Sequence, residues 1–315
     1  MNIKTVWVYG VGGVGGFIGG KIARYLQKER RKDTRLYFIA RGEHLKEIQK
    51  KGLVLNAGDE IGLMCVPTRA TDNVDELPSP DLCFLCVKSY DLDAACNALN
   101  GHITPETVII PLLNGVDIYE RIRKMVANGV ILPACIYVGT HIEKPGTVTQ
   151  KGGEGKILMG KDPKYPDFQP EEVLQFLKGA AISFQWFESA LPAIWEKYLF
   201  IAGFGLVSAV SGKTLGQIVE DIETKNLVTG IMEEIFLISK QKHVLLPEDI
   251  VAVSVAKAYA FPPETKTSYQ RDVEQKAKRN EGDLFGVTVI RMGKETGVPT
   301  PATESVYKKI VSQTE

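Results

Sequence analysis

Six residues near the start of the chain are of the kind that holds a phosphate. Gly10-Val11-Gly12-Gly13-Val14-Gly15 spells G-x-G-x-x-G. In such a loop the first glycine makes a tight turn, the second lets backbone approach a pyrophosphate, and the third lets the following helix pack close to a sheet. The pattern alone is weak. Here it closes an apolar run, Thr5–Gly10 (TVWVYG), and opens a helical pattern over Phe17–Glu29, which is the context that gives it meaning. The helix would present free N–H groups and the positive end of its dipole to phosphates. The competing reading is a glycine-rich turn without a ligand.

The residue that would choose between dinucleotides lies at the end of the next strand. NAD-selective sites carry an acidic side chain there, bonded to the adenosine ribose. This strand ends FIAR, so Arg41 takes the place, and no Asp or Glu occurs between Tyr37 and Gly42. A planar guanidinium pairs bidentately with phosphate oxygens, which suits the extra phosphate of NADP(H). A solvated surface arginine is the alternative. Cys83 and Cys86 form a C-x-x-C, but inside a buried-strand pattern, where residues three apart point to opposite faces. No second pair follows at zinc-ribbon spacing, so packing cysteines are expected and no metal site.

The elements that must position these residues alternate through the first half. Strands read at Thr5–Gly10, Arg35–Ala40, Asp81–Lys88 and Thr107–Asn114 are separated by helices at Phe17–Glu29, Gly42–Gly52, Leu92–Leu99 and Ile118–Val126. That alternation predicts an α/β fold, a doubly wound Rossmann-type parallel sheet. Residues 130–160 carry short β-like runs and are expected at the far edge of the same sheet, in an antiparallel setting. From Leu191 onward the texture is helical, and Pro192 suits a first helical turn. The expected division is a cofactor domain over 1–188 and an all-helical substrate-binding domain over 189–315.

Composition narrows the class. The 315 residues hold equal numbers of acidic and basic side chains, for a formal net charge of zero. There is no basic tail for a nucleic acid. Five irregularly spaced cysteines argue against a disulfide framework and for a reducing, cytoplasmic setting. No secretory leader pattern is seen at the N-terminus. The longest apolar stretch, Leu199–Val210, is short for a membrane span and reads as a buried helix. The expected partner is a small molecule, and a homodimer is the assembly considered.

Five motifs, taken together, resemble the ketopantoate reductase (2-dehydropantoate 2-reductase) family over nearly the whole length. They are the glycine loop, CVKSYD at Cys86–Asp91, LLNGVD at Leu112–Asp117, WEKYLF at Trp195–Phe200 and GVPTP at Gly297–Pro301. The resemblance implies a Rossmann-type NADP(H) domain followed by a helical one, and NADPH-dependent reduction of ketopantoate to pantoate for pantothenate biosynthesis. It implies that Lys88 sits near the cofactor and that Asn114 contacts cofactor and substrate. Lys197 would be the general acid, Ser268 would bind the substrate carboxylate, and Glu281 would hold the substrate hydroxyl and help position the lysine. NADPH is expected to bind first, in the crevice between the domains.

Elementary chemistry runs alongside. Ligands of open α/β sheets bind outside the carboxyl ends of strands, where Lys88 and Asn114 fall. Hydride addition to a ketone builds negative charge on oxygen, which an ammonium can stabilise and protonate. Read without the resemblance, Lys197 is more naturally a surface lysine beside Glu196; the alternative for Lys88 and Asn114 is a plain polar strand-end pair, and for Ser268 a helix N-cap.

Two departures from the family pattern bear on the substrate. The family often places asparagines four and eight residues after the lysine, and here Ile201 and Gly205 stand there. The pocket should be more apolar, with Ser208 a candidate for a polar contact on the same face. The acidic motif reads Asn280-Glu281-Gly282-Asp283, so Asn280 or Asp283 could replace Glu281. Another small 2-keto acid, or a non-catalytic NADP(H) sensor, are the competing functions. A β-hydroxyacid dehydrogenase would want Lys-x-x-x-Asn, which Ile201 breaks.

Overall fold

The computed structural model describes residues 3–275 and 279–314. Two compact units divide the chain, one made of Met1–Leu113 with Asp117–Ala190, the other of Asn114–Val116 with Leu191–Glu315.

The first unit is of Rossmann type. Strands β1 (Thr5–Tyr9), β2 (Arg35–Ile39), β5 (Arg69–Thr71), β6 (Leu82–Leu85), β7 (Val108–Pro111) and β8 (Val130–Ile131) form one sheet. Its order is β5-β2-β1-β6-β7-β8, and all its pairings are parallel. Helices α1 (Gly13–Lys28), α2 (Gly42–Lys51), α3 (Leu92–Asn100) and α4 (Ile118–Met125) alternate with these strands. Strand order runs one way from β1 to β2 and the other way from β1 to β6, so the switch point lies at the carboxyl ends of β1 and β6. Open α/β sheets bind ligands there.

Residues 130–160 depart from the expectation. Only β8 extends the first sheet, as a parallel edge strand. Strands β9 (Ala134–Lys144) and β10 (Thr147–Gly160) belong to a second sheet, with β3 (Leu53–Ala57), β4 (Glu60–Cys65) and β11 (Phe184–Phe187), in the order β11-β10-β3-β4 with β9 on β10. The physical reason lies in α1. Its sixteen residues include five glycines, each a cost to an isolated helix of about 1 kcal/mol relative to alanine. A Cβ on Gly19 would lie 2.6 Å from Phe38 of β2, whereas one on Gly16 or Gly20 would lie 2.5 Å from Val148 of β10 or 2.7 Å from Leu55 of β3. The helix is therefore pressed against sheet on two sides. Val148 pairs with Ile142 and Leu55 in register, and the apolar side chains between α1 and both sheets form one continuous core. Helix α5 (Glu171–Gly179) completes this unit.

The second unit is helical. Its helices are α6 (Leu191–Ser211), α7 (Leu215–Glu220), α8 (Ile222–Gln241), α9 (Ile250–Lys257), α10 (Ser268–Glu274), α11 (Thr288–Thr296) and α12 (Pro301–Thr314). Helix α6 has 21 residues and passes, by length and composition, for a membrane span, longer than the sequence suggested. Thirteen of its residues are buried, so it serves as the central helix of this unit. Helix α10 ends at Glu274, and residues 276–278 lie outside the described ones.

Glu234, buried on α8, fixes the last helix. Its carboxylate accepts from Ala302 N at 2.6 Å, Thr303 N at 3.0 Å and Thr303 Oγ1 at 2.6 Å. It thus serves orphan donors of the first turn of α12, where negative charge also meets the positive dipole end. Glu234→Ala is expected to cost about 2–3 kcal/mol by stranding these donors. Urea unfolding would show it, and a midpoint equal to wild type would refute the assignment.

Candidate active site

The glycine loop is held by the sheet it leaves. Gly10 and Val11 donate their N–H groups to Ile39 O at 3.0 and 3.2 Å, and Gly12 donates to Gly10 O at 2.8 Å. Gly10 sits at φ +92°, and a Cβ there would lie 2.9 Å from the backbone of Cys86 and Val87. One on Gly13 would lie 2.8 Å from Thr140 O, and one on Gly15 would collide with Gly10 O. Packing thus explains three glycines. It does not explain Gly12, where a Cβ would meet nothing within 4 Å. The N-terminus of α1 has no side-chain cap and no acidic residue in its first turn. An open face over an uncapped helix start fits the pyrophosphate of a dinucleotide, whose oxygens would take the place of the missing cap. Gly13, Val14 and Gly15 supply the first N–H groups of that helix.

His44 on α2 braces this region. Its Nδ1 accepts from Gly146 N at 3.0 Å, in the turn between β9 and β10. Burial pushes the imidazole below its ordinary value, with the Val11 backbone opposing. The neutral ring is favoured in the folded chain, so stability should be full above about pH 6.5 and fall as pH drops below it towards the folded pKa. Urea midpoints at about pH 7.5 and 5.5 should differ more in wild type than in His44→Asn, which keeps an acceptor. Equal pH dependence in the two would exclude the brace.

Arg41 begins α2 directly beyond β2, with its side chain mostly exposed. Its Nη2 lies 2.5 Å from Oδ2 of Asp91. Asp91 follows β6 as the last residue of the short turn Ser89–Asp91, which the half-buried Lys88 precedes. Among sequence-predicted cofactor residues, the glycine loop, Arg41 and Lys88 thus all lie at the carboxyl ends of β1, β2 and β6. Asp91 belongs to the CVKSYD motif but carried no expectation of its own. Strand adjacency, not spacing in sequence, brings it to Arg41.

Lys197 is not a surface lysine. It is 8% exposed, and its Nζ donates to Asn114 Oδ1 at 2.8 Å. The neighbouring Glu196 pairs instead with Lys257 on a more exposed side of α6. Asn114 follows β7 but packs with the second unit, as do its neighbours to Val116. Glu281 is 4% exposed. Of its two rivals, Asp283 is exposed, and Asn280 spends its Oδ1 on Gly282 N at 3.0 Å. Glu281 lies two residues before a single π-helical turn, Asp283–Val287, a local irregularity frequent at functional sites.

The remaining candidates fall elsewhere. Thr267, not Ser268, caps α10, accepting from Gln270 N at 3.1 Å, and Ser268 is exposed in the first turn. Ser208 is fully buried and bonded to Gly205 O and Thr267 Oγ1, at 3.1 and 2.7 Å, so its hydroxyl ties α6 to the start of α10. Ile201 is half-buried on α6. A Cβ on Gly205 would only touch Tyr269, at 3.8 Å. Burial pushes the thiols of Cys83 and Cys86 up, as fits core packing. Among the described residues no cluster of three or more His, Cys, Asp or Glu suits a metal.

A profile described as ketopantoate reductase PanE/ApbA matches residues 6–164, and its C-terminal counterpart matches 189–313. The chain belongs to the ketopantoate reductase family. It is an NAD(P)-dependent oxidoreductase of Rossmann type. A 2-dehydropantoate 2-reductase of Aquifex aeolicus (strain VF5) is 25% identical over 260 residues, 78% of this chain and 80% of its own. The solved PanE/ApbA family ketopantoate reductase of Ralstonia eutropha JMP134 aligns at a TM-score of 0.87, with 23% identity over 98% of both chains. A D-mandelate dehydrogenase solved with NADH and anilino(oxo)acetate aligns at 0.84, with 18% identity over 98% of both chains. These two structures share the fold.

Among the five motifs shared with the ketopantoate reductase family, the last is architectural. In GVPTP, Gly297 closes α11 at φ +74°, and Pro301 opens α12, whose first turn Glu234 receives. The first four contribute the loop, Lys88, Asn114 and Lys197.

Proposed function

We propose that the chain reduces ketopantoate to pantoate with NADPH, in the cytoplasm, serving pantothenate biosynthesis. The supporting observation is the buried Lys197, its ammonium held by Asn114 at 2.8 Å. A buried charge of this kind is rare without a task or a partner set. A bound NADPH would supply a hydride to the carbonyl carbon. Gly10, Gly12, Gly13, Val14 and Gly15 would seat its pyrophosphate, Arg41 its 2′-phosphate, and Lys88 and Asn114 would line its reactive end. As charge grows on the carbonyl oxygen, Lys197 stabilises it and gives it a proton. Asn114 fixes the Nζ position through its oxygen and keeps its NH2 for a second partner. Glu281, buried in the same unit, accepts from the substrate hydroxyl. Ser268 is assigned the substrate carboxylate, with the adjacent Thr267 hydroxyl already spent on α10 and Ser208. None of the five cysteines is in a disulfide, as suits a reducing compartment. A homodimer is the proposed assembly.

A second reading concerns the substrate alone. Ile201 stands one turn beyond Lys197, and Gly205 one turn further. Neither side chain can bond a hydroxyl, so a 2-keto acid with a more apolar substituent fits this helix face better. Purified protein should be mixed with ketopantoate and then a panel of 2-keto acids, following NADPH absorbance. Turnover with ketopantoate supports the first reading. Turnover only with apolar keto acids supports the second. Tight NADPH binding with no turnover on the panel would leave a cofactor sensor and remove both.

A further inference from the structure

Three adjacent strands bring two opposite charges together beside the glycine loop. Their order is β2-β1-β6, with the glycine loop leaving the central strand. Arg41 follows β2 and Asp91 follows β6, and the two meet at 2.5 Å. Tyr9, the last residue of β1, feels both charges. The pair therefore spans the end of β1, next to the loop.

Asp91 pairs with Arg41 and does not cap its own helix, although it occupies the N-cap position of α3. A capping aspartate is worth about 1 kcal/mol to a helix, so the carboxylate forgoes a local gain. Asp91 is mainly buried, with 16% of its side chain exposed, against 75% for Arg41. The carboxylate is thus the buried member of the pair and the guanidinium the exposed one.

A carboxylate beside the ribose is the feature that favours the free 2′-hydroxyl of NADH, while an arginine favours the 2′-phosphate of NADPH. NAD-selective sites draw the carboxylate from the end of β2. Here β2 supplies the arginine and β6 supplies the carboxylate. We infer that Asp91 is a specificity-determining residue that offsets Arg41, so that the site accepts NADH as well as NADPH. A 2′-phosphate must win Arg41 from Asp91 and then lie close to a like charge. A ribose hydroxyl can instead donate to Asp91 while the ion pair stays closed. Arg41→Ala should therefore weaken NADPH more than NADH, and Asp91→Asn should favour NADPH. The inference rests on the dinucleotide reading of the glycine loop.

The test is direct binding, by nucleotide fluorescence titration of NADPH and NADH to wild type, Asp91→Asn and Arg41→Ala. In wild type the two Kd values should agree within about tenfold. Asp91→Asn should tighten NADPH by about tenfold or more, since it removes a like-charge contact, and leave NADH unchanged or weaker. A wild-type preference for NADPH beyond about a hundredfold would overturn the inference without any variant. So would an Asp91→Asn protein with native melting behaviour and an unchanged NADPH-to-NADH ratio. If wild type binds neither nucleotide, the dinucleotide reading itself falls, and the inference with it.

Discussion

Lys197→Ala is expected to lower kcat by about 10²–10⁴-fold, the usual range for loss of a positioned general acid. KM for the keto acid should change far less, because the proton is delivered only as the carbonyl oxygen becomes an alkoxide. The size of the effect follows from the setting. Nζ is buried and bonded to Asn114 Oδ1, so no water-borne acid is already in its place. The truncation also leaves that amide oxygen without its donor, at a stability cost of about 1–3 kcal/mol. A melting curve must therefore accompany the kinetics. NADPH affinity should change far less than kcat, since the loop glycines and Arg41 that would hold its phosphates are left intact. A kcat within about tenfold of wild type, in protein that melts normally, would remove Lys197 from the chemistry.

The second large effect separates two glycines three residues apart. Gly15→Ala forces a Cβ into Gly10 O, so the turn must open and the chain should lose stability as well as nucleotide binding. Gly12→Val adds its side chain to open space. Its unfolding midpoint should stay within about 0.5 kcal/mol of wild type, as for a surface change. Its affinity for NADPH should nonetheless fall by at least about a hundredfold, because the added methyls occupy the face that a pyrophosphate would approach. Isothermal titration and urea unfolding on both variants give the comparison. A Gly12→Val protein that binds NADPH as wild type does would mean that the open face serves something else.

Much of this arrangement was legible in the residues. The parallel sheet was readable because its central strands are continuous apolar runs separated by amphipathic helices, and the loop because glycine spacing reports a turn and a close approach. The second sheet was not. In strand β4, exposed apolar residues such as Ile61 and Met64 blur the alternation. Strand β10 hides its continuity behind Gly152, Gly153 and Gly155, where its pairing with β9 shifts register. The glycines of α1 held the missing signal: a helix with that many has a sheet on more than one side. Lys197 was harder in another way. Its helix is apolar nearly all round, so periodicity could not say which way the lysine points, and only the bond to Asn114, eighty-three positions away, settles it. Asp91 escaped because its partner lies fifty positions distant, on a strand whose adjacency no local pattern reveals.

The two-sided burial of α1 has a thermodynamic consequence. A helix locked between two sheets by glycine contacts has little freedom left to lose, and the first turn of that helix is part of the proposed phosphate cradle. Ligand capture at such a cradle spares the ordering entropy that a floppy loop would forfeit. The favourable enthalpy of phosphate–backbone bonds then carries through to affinity with little entropic offset. Whatever ordering accompanies nucleotide capture should arise in exposed groups such as the Arg41 side chain rather than in the backbone of the loop.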